Sequence, residues 1–160
     1  MTNQVSRTLF DLLLNETVAS IYNSQIADPN ALFFKMEHVG FKVGTRLVER
    51  MVSGKNRFVD HLEIVKFVCT ELWLCLYHKR IDNLKTNNEG TFILYDFQFK
   101  PLLNLSSIGK HTESRAIPYL AYPCGLIRGA LACMGVSSSV SAEISSVPQC
   151  LFHIETGQLC

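Results

Sequence analysis

The chain has 160 residues, 48% of them hydrophobic and 18% charged, with a formal net charge of +1. That length suits one domain spanning residues 1–160 with a core of its own. The scattered basic residues exclude the clustered cationic stripe that nucleic-acid binding needs, and the shortage of charge favours a subunit that hides apolar surface against a partner.

In chain order, Phe10, Leu13, Leu14, Thr17, Val18 and Ile21 recur at the three-four spacing of an amphipathic helix. Asp11 breaks this short apolar run, and no basic start or cleavage site accompanies it, so no secretory leader is expected. Asp28 followed by Pro29 reads as an N-cap with proline at the first helical position, opening a second helix that runs to about Ser53. On that helix Lys35, Lys42, Arg46, Glu49 and Ser53 share a polar wedge, read as a solvated face with Arg46 and Glu49 spaced to support each other. Leu32, Phe33, Met36, Gly40, Val43, Gly44, Leu47, Val48 and Met51 fill the opposite side. A glycine inside a helix costs about 0.5–1 kcal/mol relative to alanine. Gly40 and Gly44, in the middle of the apolar face, therefore mark a place where another element presses close.

A third helix is predicted over about Val59 to His78, apolar almost all round near its end and so covered on more than one side. Its greasiest stretch, Ile64 to Tyr77, carries Lys66 and Glu71 and is too short to span a membrane. The period then changes to two. From Thr91 to Phe99 one face carries Ile93, Tyr95, Phe97 and Phe99, while the other turns polar through Asp96, Gln98 and Lys100. A shorter strand around Arg80 to Lys85 precedes it across Asn87-Asn88-Glu89-Gly90, which makes a hairpin.

Pro101 to Ser114 reads as irregular, and a helix is expected from near Pro123 to a C-cap at Gly135. It repeats the four-residue glycine spacing at Gly125 and Gly129, and Arg128 is the lone charge in its stretch. Such an arginine must find a carboxylate or carbonyl, which makes it first a structural anchor and second a partner contact. A second hairpin sets Val140, Ala142 and Ile144 in alternation, then Cys150, Phe152 and Ile154 after a turn at Pro148. The order of elements predicts an α+β fold with a four-stranded antiparallel sheet.

The chemistry is sparse. Six cysteines, at positions 69, 75, 124, 133, 150 and 160, include no Cys-x-x-Cys pair, so zinc ligation is not expected; with no leader expected the chain should stay in the cytosol, where they read as reduced thiols, most of them packed among apolar neighbours. Cys75 with His78, one helical turn apart, is the best candidate for a thiol nucleophile and its base, weighed against plain packing at a greasy helix end. Phosphate loops, a nucleophile elbow and helical zinc-binding histidine pairs are missing, so no catalytic, cofactor or metal site is expected.

Taken together, two strings give the chain a family resemblance. Gly40-Phe41 with Gly44, Arg46, Leu47 and Glu49, and Gly125 through Leu131 with Arg128 and Gly129, resemble the signatures of the Bet-three family of small core subunits of the trafficking protein particle (TRAPP) complex. Val65 to Cys69, and Leu84 to Asn87 before Gly90-Thr91, are similar to its subunit 6 group, the Trs-thirty-three type. The similarity runs from about Leu9 to Ile154. The resemblance implies about four helices on one side of the sheet, and dimerisation with a Bet-three-type subunit through the first two helices. The dimer face is then expected to use Phe10, Leu13, Leu14, Val18 and Ile21 with Met36, Val43 and Leu47. It further implies a non-catalytic assembly subunit of a vesicle-tethering complex between endoplasmic reticulum and Golgi, which serves a Rab-type GTPase through the assembled complex. The chain is expected in the cytoplasm, peripheral at cis-Golgi and endoplasmic reticulum, with a homodimer open to it in isolation. One departure concerns the acylated cysteine that Bet-three carries after the glycine–arginine helix. Here Ser53 to Phe58 holds no cysteine, so no acyl chain is expected there and Phe58 is expected to fill the equivalent channel. A small-molecule or acyl-binding module, drawing on the aromatic strand and the third helix, is the alternative.

Overall fold

A computed structural model describes residues 7–23, 29–103, 105 and 112–157. Two long helices come first, α1 (Arg7–Asn23) and α2 (Pro29–Val52). The N-cap expected at Asp28 lies outside the described residues. A third rod follows as α3 (His61–Phe67), a π turn over Val68–Leu72, and α4 (Trp73–Tyr77). Asp60 opens it by accepting the Glu63 amide at 2.7 Å, while the Glu63 carboxylate accepts the Val59 amide at 2.6 Å. In the π turn the Trp73 amide bonds the carbonyls of Thr70 and Val68 and passes over Cys69. The Cys69 carbonyl is thereby released to accept the Ile81 amide at 3.0 Å, which ties the rod to the segment entering the sheet.

Four antiparallel strands, β1 (Asn83–Thr86), β2 (Thr91–Asp96), β3 (Ser138–Ser146) and β4 (Gln149–Thr156), form a sheet of order β1-β2-β4-β3. Phe152 lies opposite Leu94 on one side and Ala142 on the other, and Ile154 opposite Phe92 and Val140, so one face presents a continuous apolar layer to the helices. The fold is α+β, with helices packed against that face.

Several boundaries differ from expectation. β1 begins at Asn83, not Arg80, and β2 ends at Asp96, not Phe99. Phe92, Leu94 and Asp96 are the buried positions of β2, whereas Ile93 and Tyr95 are half-covered on the other face. The cause is Asp96. Its carboxylate, fully enclosed, accepts Trp73 Nε1 at 2.9 Å, Lys79 Nζ at 2.5 Å and the Gln98 amide at 3.0 Å. The chain turns after it, leaving Phe97 exposed and swinging Phe99 into the core beside Trp73, Tyr77 and Phe152. Part of the segment expected to be irregular forms α5 (Lys100–Leu103), which buries Pro101 and Leu102.

The next helix, α6 (Thr112–Cys133), starts well before Pro123 and runs through both Pro118 and Pro123. A proline within a helix loses a bond and strains the preceding turn, by about 3 kcal/mol. Around Pro123 every residue from Leu120 to Ile127 is buried, so packing on all sides offsets that loss there; beside the buried Pro118, Ile117 is exposed. Gly135, at φ 84°, ends the turn after α6 in the left-handed region.

α2 and α6 meet backbone to backbone. A Cβ on Gly40 or Gly44 would collide with the carbonyls of Tyr122 and Leu126, and a Cβ on Gly125 or Gly129 with those of Glu37 and Phe41. The contacts advance by four residues on both helices together, so the two run in parallel, each glycine row seated on the other helix's main chain. Thr45 Oγ reinforces the seam by donating to the Phe41 carbonyl at 2.9 Å and the Gly129 carbonyl at 3.3 Å.

Two predictions follow from these locks. Gly125→Ala is expected to cost about 3 kcal/mol or more, because the obstructing atoms are backbone. Gly54→Ala, in open space at φ 81°, should cost only about 1 kcal/mol; urea unfolding of both variants checks the contrast. The second lock carries charge. Burial opposes the Lys79 ammonium, but its bonds to Asp82 and Asp96 outweigh that and raise its pKa above the ordinary 10.5. Burial likewise disfavours the Asp82 carboxylate, but Lys79 and the Phe97 amide outweigh it and hold its pKa below 3.8. The lysine's contribution is therefore complete below 10.5 and lost as pH rises through its raised value; the aspartate's is complete above 3.8 and lost as pH falls through its lowered one. Lys79→Met should cost about 3 kcal/mol at neutral pH, a deficit against wild type that narrows above pH 10.5 as the ammonium is lost, and again in acid as pH falls through the lowered Asp82 value.

Candidate partner interface

The glycine seam sets the side chains around it. Arg128 reaches back across it to Glu37, with Nε to Oε1 at 2.5 Å and the second guanidinium nitrogen to Oε2 at 3.0 Å. Its guanidinium also lies 4.4 Å from the centre of the Phe41 ring. Two parallel charge-assisted bonds and a cation–π contact hold the lone charge of the central stretch of α6 at the surface end of the crossing. Arg128 thus clamps the two glycine motifs together, its charge already engaged inside the chain.

α1 attaches by one face. Phe10 sets its ring against Tyr77 and Tyr122, at 6.3 and 6.1 Å between centroids, and Leu14 and Val18 are buried behind it. The residues expected to form a dimer face therefore divide. Leu14, Val18 and Met36 belong to the chain's own core; Phe10, Ile21, Val43 and Leu47 are half-buried; Leu13 is 58% exposed. Three-four spacing marked the inward stripe of α1 and caught only Leu13 of the outward one. That stripe is Leu9, Leu12 and Leu13; on α2, Val39 and, at 67%, Phe34 are exposed as well. A cluster of three leucines on the outer face of a helix is not how a solvated surface is composed. The signal was present in the sequence, since Leu9-Phe10 and Leu12-Leu13-Leu14 leave the first half of α1 apolar on two sides.

In the first motif string, Arg46 and Glu49 are both exposed, and no ion pair joins them among the described residues. Neither supports the other in the way the spacing allowed.

The expected absence of catalysis meets the following geometry. Cys75 is exposed, and His78 ends α4 in a left-handed turn at φ 52°, with no hydrogen bond between the two among the described residues. Burial pushes the thiols of Cys69 and Cys124 up to about 12 and raises that of Cys150 as well. Ser53 to Phe58 lies at the surface. Phe58 packs its ring 5.3 Å from that of Phe67 and separates two open grooves of about 550 and 410 Å³. Groups of three or more metal-ligating side chains are absent among the described residues, as is any helix long and apolar enough to cross a membrane.

Comparison with known proteins fits this arrangement. The family described as "Transport protein particle (TRAPP) component" matches residues 10–157. The chain belongs to the TRAPP component family. It is similar to trafficking protein particle complex subunit 6B of Mus musculus, 43% identical over 149 residues that cover 91% of this chain and 94% of the mouse protein. Subunit 6A of Bos taurus is 37% identical over 151 residues, with the same coverage of each chain. The chain is of the subunit 6 type, and its role lies in trafficking as a component of a multi-subunit complex. A solved structure, of subunit 3 from Naegleria fowleri covalently bound to palmitic acid, superposes with a TM-score of 0.74 and covers 96% of this chain and 98% of that one. At 15% identity it shares the fold.

Alkylation at neutral pH is expected to modify Cys75 quickly and to leave Cys69, Cys124 and Cys150 unlabelled until the TRAPP subunit unfolds, as read by peptide mass spectrometry.

Proposed function

We propose that this TRAPP component is a non-catalytic assembly subunit that dimerises with a Bet-three-type subunit through α1 and α2. The observation that carries the reading is the two-sided apolar character of α1. One side closes the core through Phe10, Leu14 and Val18, while Leu9, Leu12 and Leu13 stand exposed at 49%, 60% and 58%. Burying three such side chains is worth about 1.5–3 kcal/mol each, which is the scale of an interface core. On α2, Val43 and Leu47 keep part of their surface uncovered. The assembled complex then tethers vesicles between endoplasmic reticulum and Golgi, meets membranes peripherally, and acts on its Rab-type GTPase without this subunit touching the nucleotide. Residues 1–160 serve as a single unit in it. Phe58 against Phe67, with no cysteine in Ser53 to Phe58, supports a subunit that carries no acyl chain at this position.

Leu14→Asp would place a charge in the core, so the discriminating variant changes outward residues alone. Leu9→Asp with Leu13→Asp is expected to abolish co-purification with a co-expressed Bet-three-type subunit while leaving the thermal midpoint within a few degrees of wild type. Undiminished binding by that folded variant would sink the assignment.

A further inference from the structure

The two edges of the sheet are built differently. β1 is four residues long and carries Lys85, the short, charged form in which exposed edges are ordinarily kept from pairing. β3 runs nine residues, Ser138–Ser146, with Glu143 as its one charge and neither lysine nor proline. No strand lies beyond it among the described residues. Pairing with β4 fixes the direction of its main-chain groups. Gly157 donates to the Ser137 carbonyl at 2.9 Å, so the odd residues of β3 bond β4. The N–H and C=O groups of Ser138, Val140, Ala142 and Ile144 therefore point away from the sheet. The side chains of Val140, Ala142 and Ile144 lie on the helix-facing side and are only half-buried. A register shift between Ile144 and Ser146 ends the regular edge, which leaves Ser138 to Ile144, centred on Ser141.

We propose that this edge pairs with the same edge of a second copy of the chain, antiparallel about a two-fold axis at Ser141, and joins two four-stranded sheets into one. Such an axis sets even residues opposite even ones, Val140 against Ala142 and Ser138 against Ile144 of the second copy. These are the residues with unpaired main-chain groups, so about eight N–H···O bonds form across the axis. Val140, Ala142 and Ile144 gain neighbours on the helix-facing side, which continues the apolar layer that ends at β3. On the other face Glu143 stands opposite Ser139, and no like charges meet. An axis at Glu143 would oppose two carboxylates and run into the register shift, so charge and backbone select the same register. A second copy is the favoured occupant because the run supplies both halves of the complement from its own residues. One strand pair is small beside a standard interface, so the association is weak. It uses no residue of α1 or α2 and stands apart from the assembly reading. A subunit held by its first two helices keeps this edge for joining one assembly to another.

The test uses the full chain with Leu9→Asp and Leu13→Asp present, so that pairing through α1 does not contribute. In sedimentation equilibrium, Ala142→Pro is expected to weaken self-association about ten-fold or more. The N–H it removes points out of the sheet, so the monomer loses no ladder bond and its thermal midpoint stays within a few degrees. Should that chain fold poorly, Ser141→Lys sets two ammoniums opposite each other at the axis and is expected to give the same loss. Register is read with Cys75→Ser added. Under a mild oxidant, Ser141→Cys is expected to form a disulfide-linked dimer, whereas Ser139→Cys, displaced from its own copy by four residues or roughly 13 Å, is not. Unchanged self-association of a folded Ala142→Pro or Ser141→Lys chain, or equal cross-linking of the two cysteine variants, overturns the proposal. Loss of a co-expressed Bet-three-type subunit on Ala142→Pro alone, with self-association unaltered, also overturns it and gives the edge to another chain. Binding of that subunit undisturbed by Leu9→Asp with Leu13→Asp overturns the assembly reading and leaves the edge to be judged by the cross-link.

Discussion

The main-chain contact between α2 and α6 is the constraint on which the rest depends. Four glycines, two on each helix, remove the side chains that would hold the axes apart, and carbonyls of one helix take the vacated space on the other. Their combined intrinsic cost to helix stability is about 2–4 kcal/mol, and the crossing offsets it with close packing over two turns of each helix. The same closeness lets Arg128 reach Glu37 and lie over Phe41, so the one charge in the heart of α6 is held without being stranded. Around Pro123, where every residue from Leu120 to Ile127 is buried, packing on all sides lets α6 continue through the proline.

Once α2 is fixed in this way, its remaining faces are set as well. One flank supports α1, and another presents Lys35, Lys42, Arg46 and Arg50 to whatever lies beyond. α1 in turn is a layer rather than a cover, with core contacts on one side and leucines on the other. The described residues offer little for catalysis. Most thiols are pushed upward by burial, and the exposed one at Cys75 has no base bonded to it.

How far the fold was legible depended on how local each determinant is. The second hairpin was readable because alternation and strand pairing agree along its length, with Val140 opposite Ile154 and Ala142 opposite Phe152. The first was harder. Both faces of Thr91 to Phe99 carry large apolar residues, and parity alone does not say which turns inward. Asp96 decided it, because a carboxylate bonded by Trp73 and Lys79 is enclosed more favourably than periodicity would assign. The start of α6 was missed for a related reason: local rules stop a helix at proline, and only burial on all sides overrides them.

The sequence by itself determined the element order, the antiparallel sheet, the family strings and the glycines' need for close neighbours. Those features follow from periodicity, turn chemistry and the bare surface of glycine, all of which act within a few residues. Only the tertiary structure decided which helices the glycines join, that Arg128 belongs to Glu37, and that Leu14, Val18 and Met36 are core while Leu9, Leu12 and Leu13 are not. An apolar stripe records that a face is to be covered; whether the cover comes from the same chain or another is set by which surfaces folding has already used.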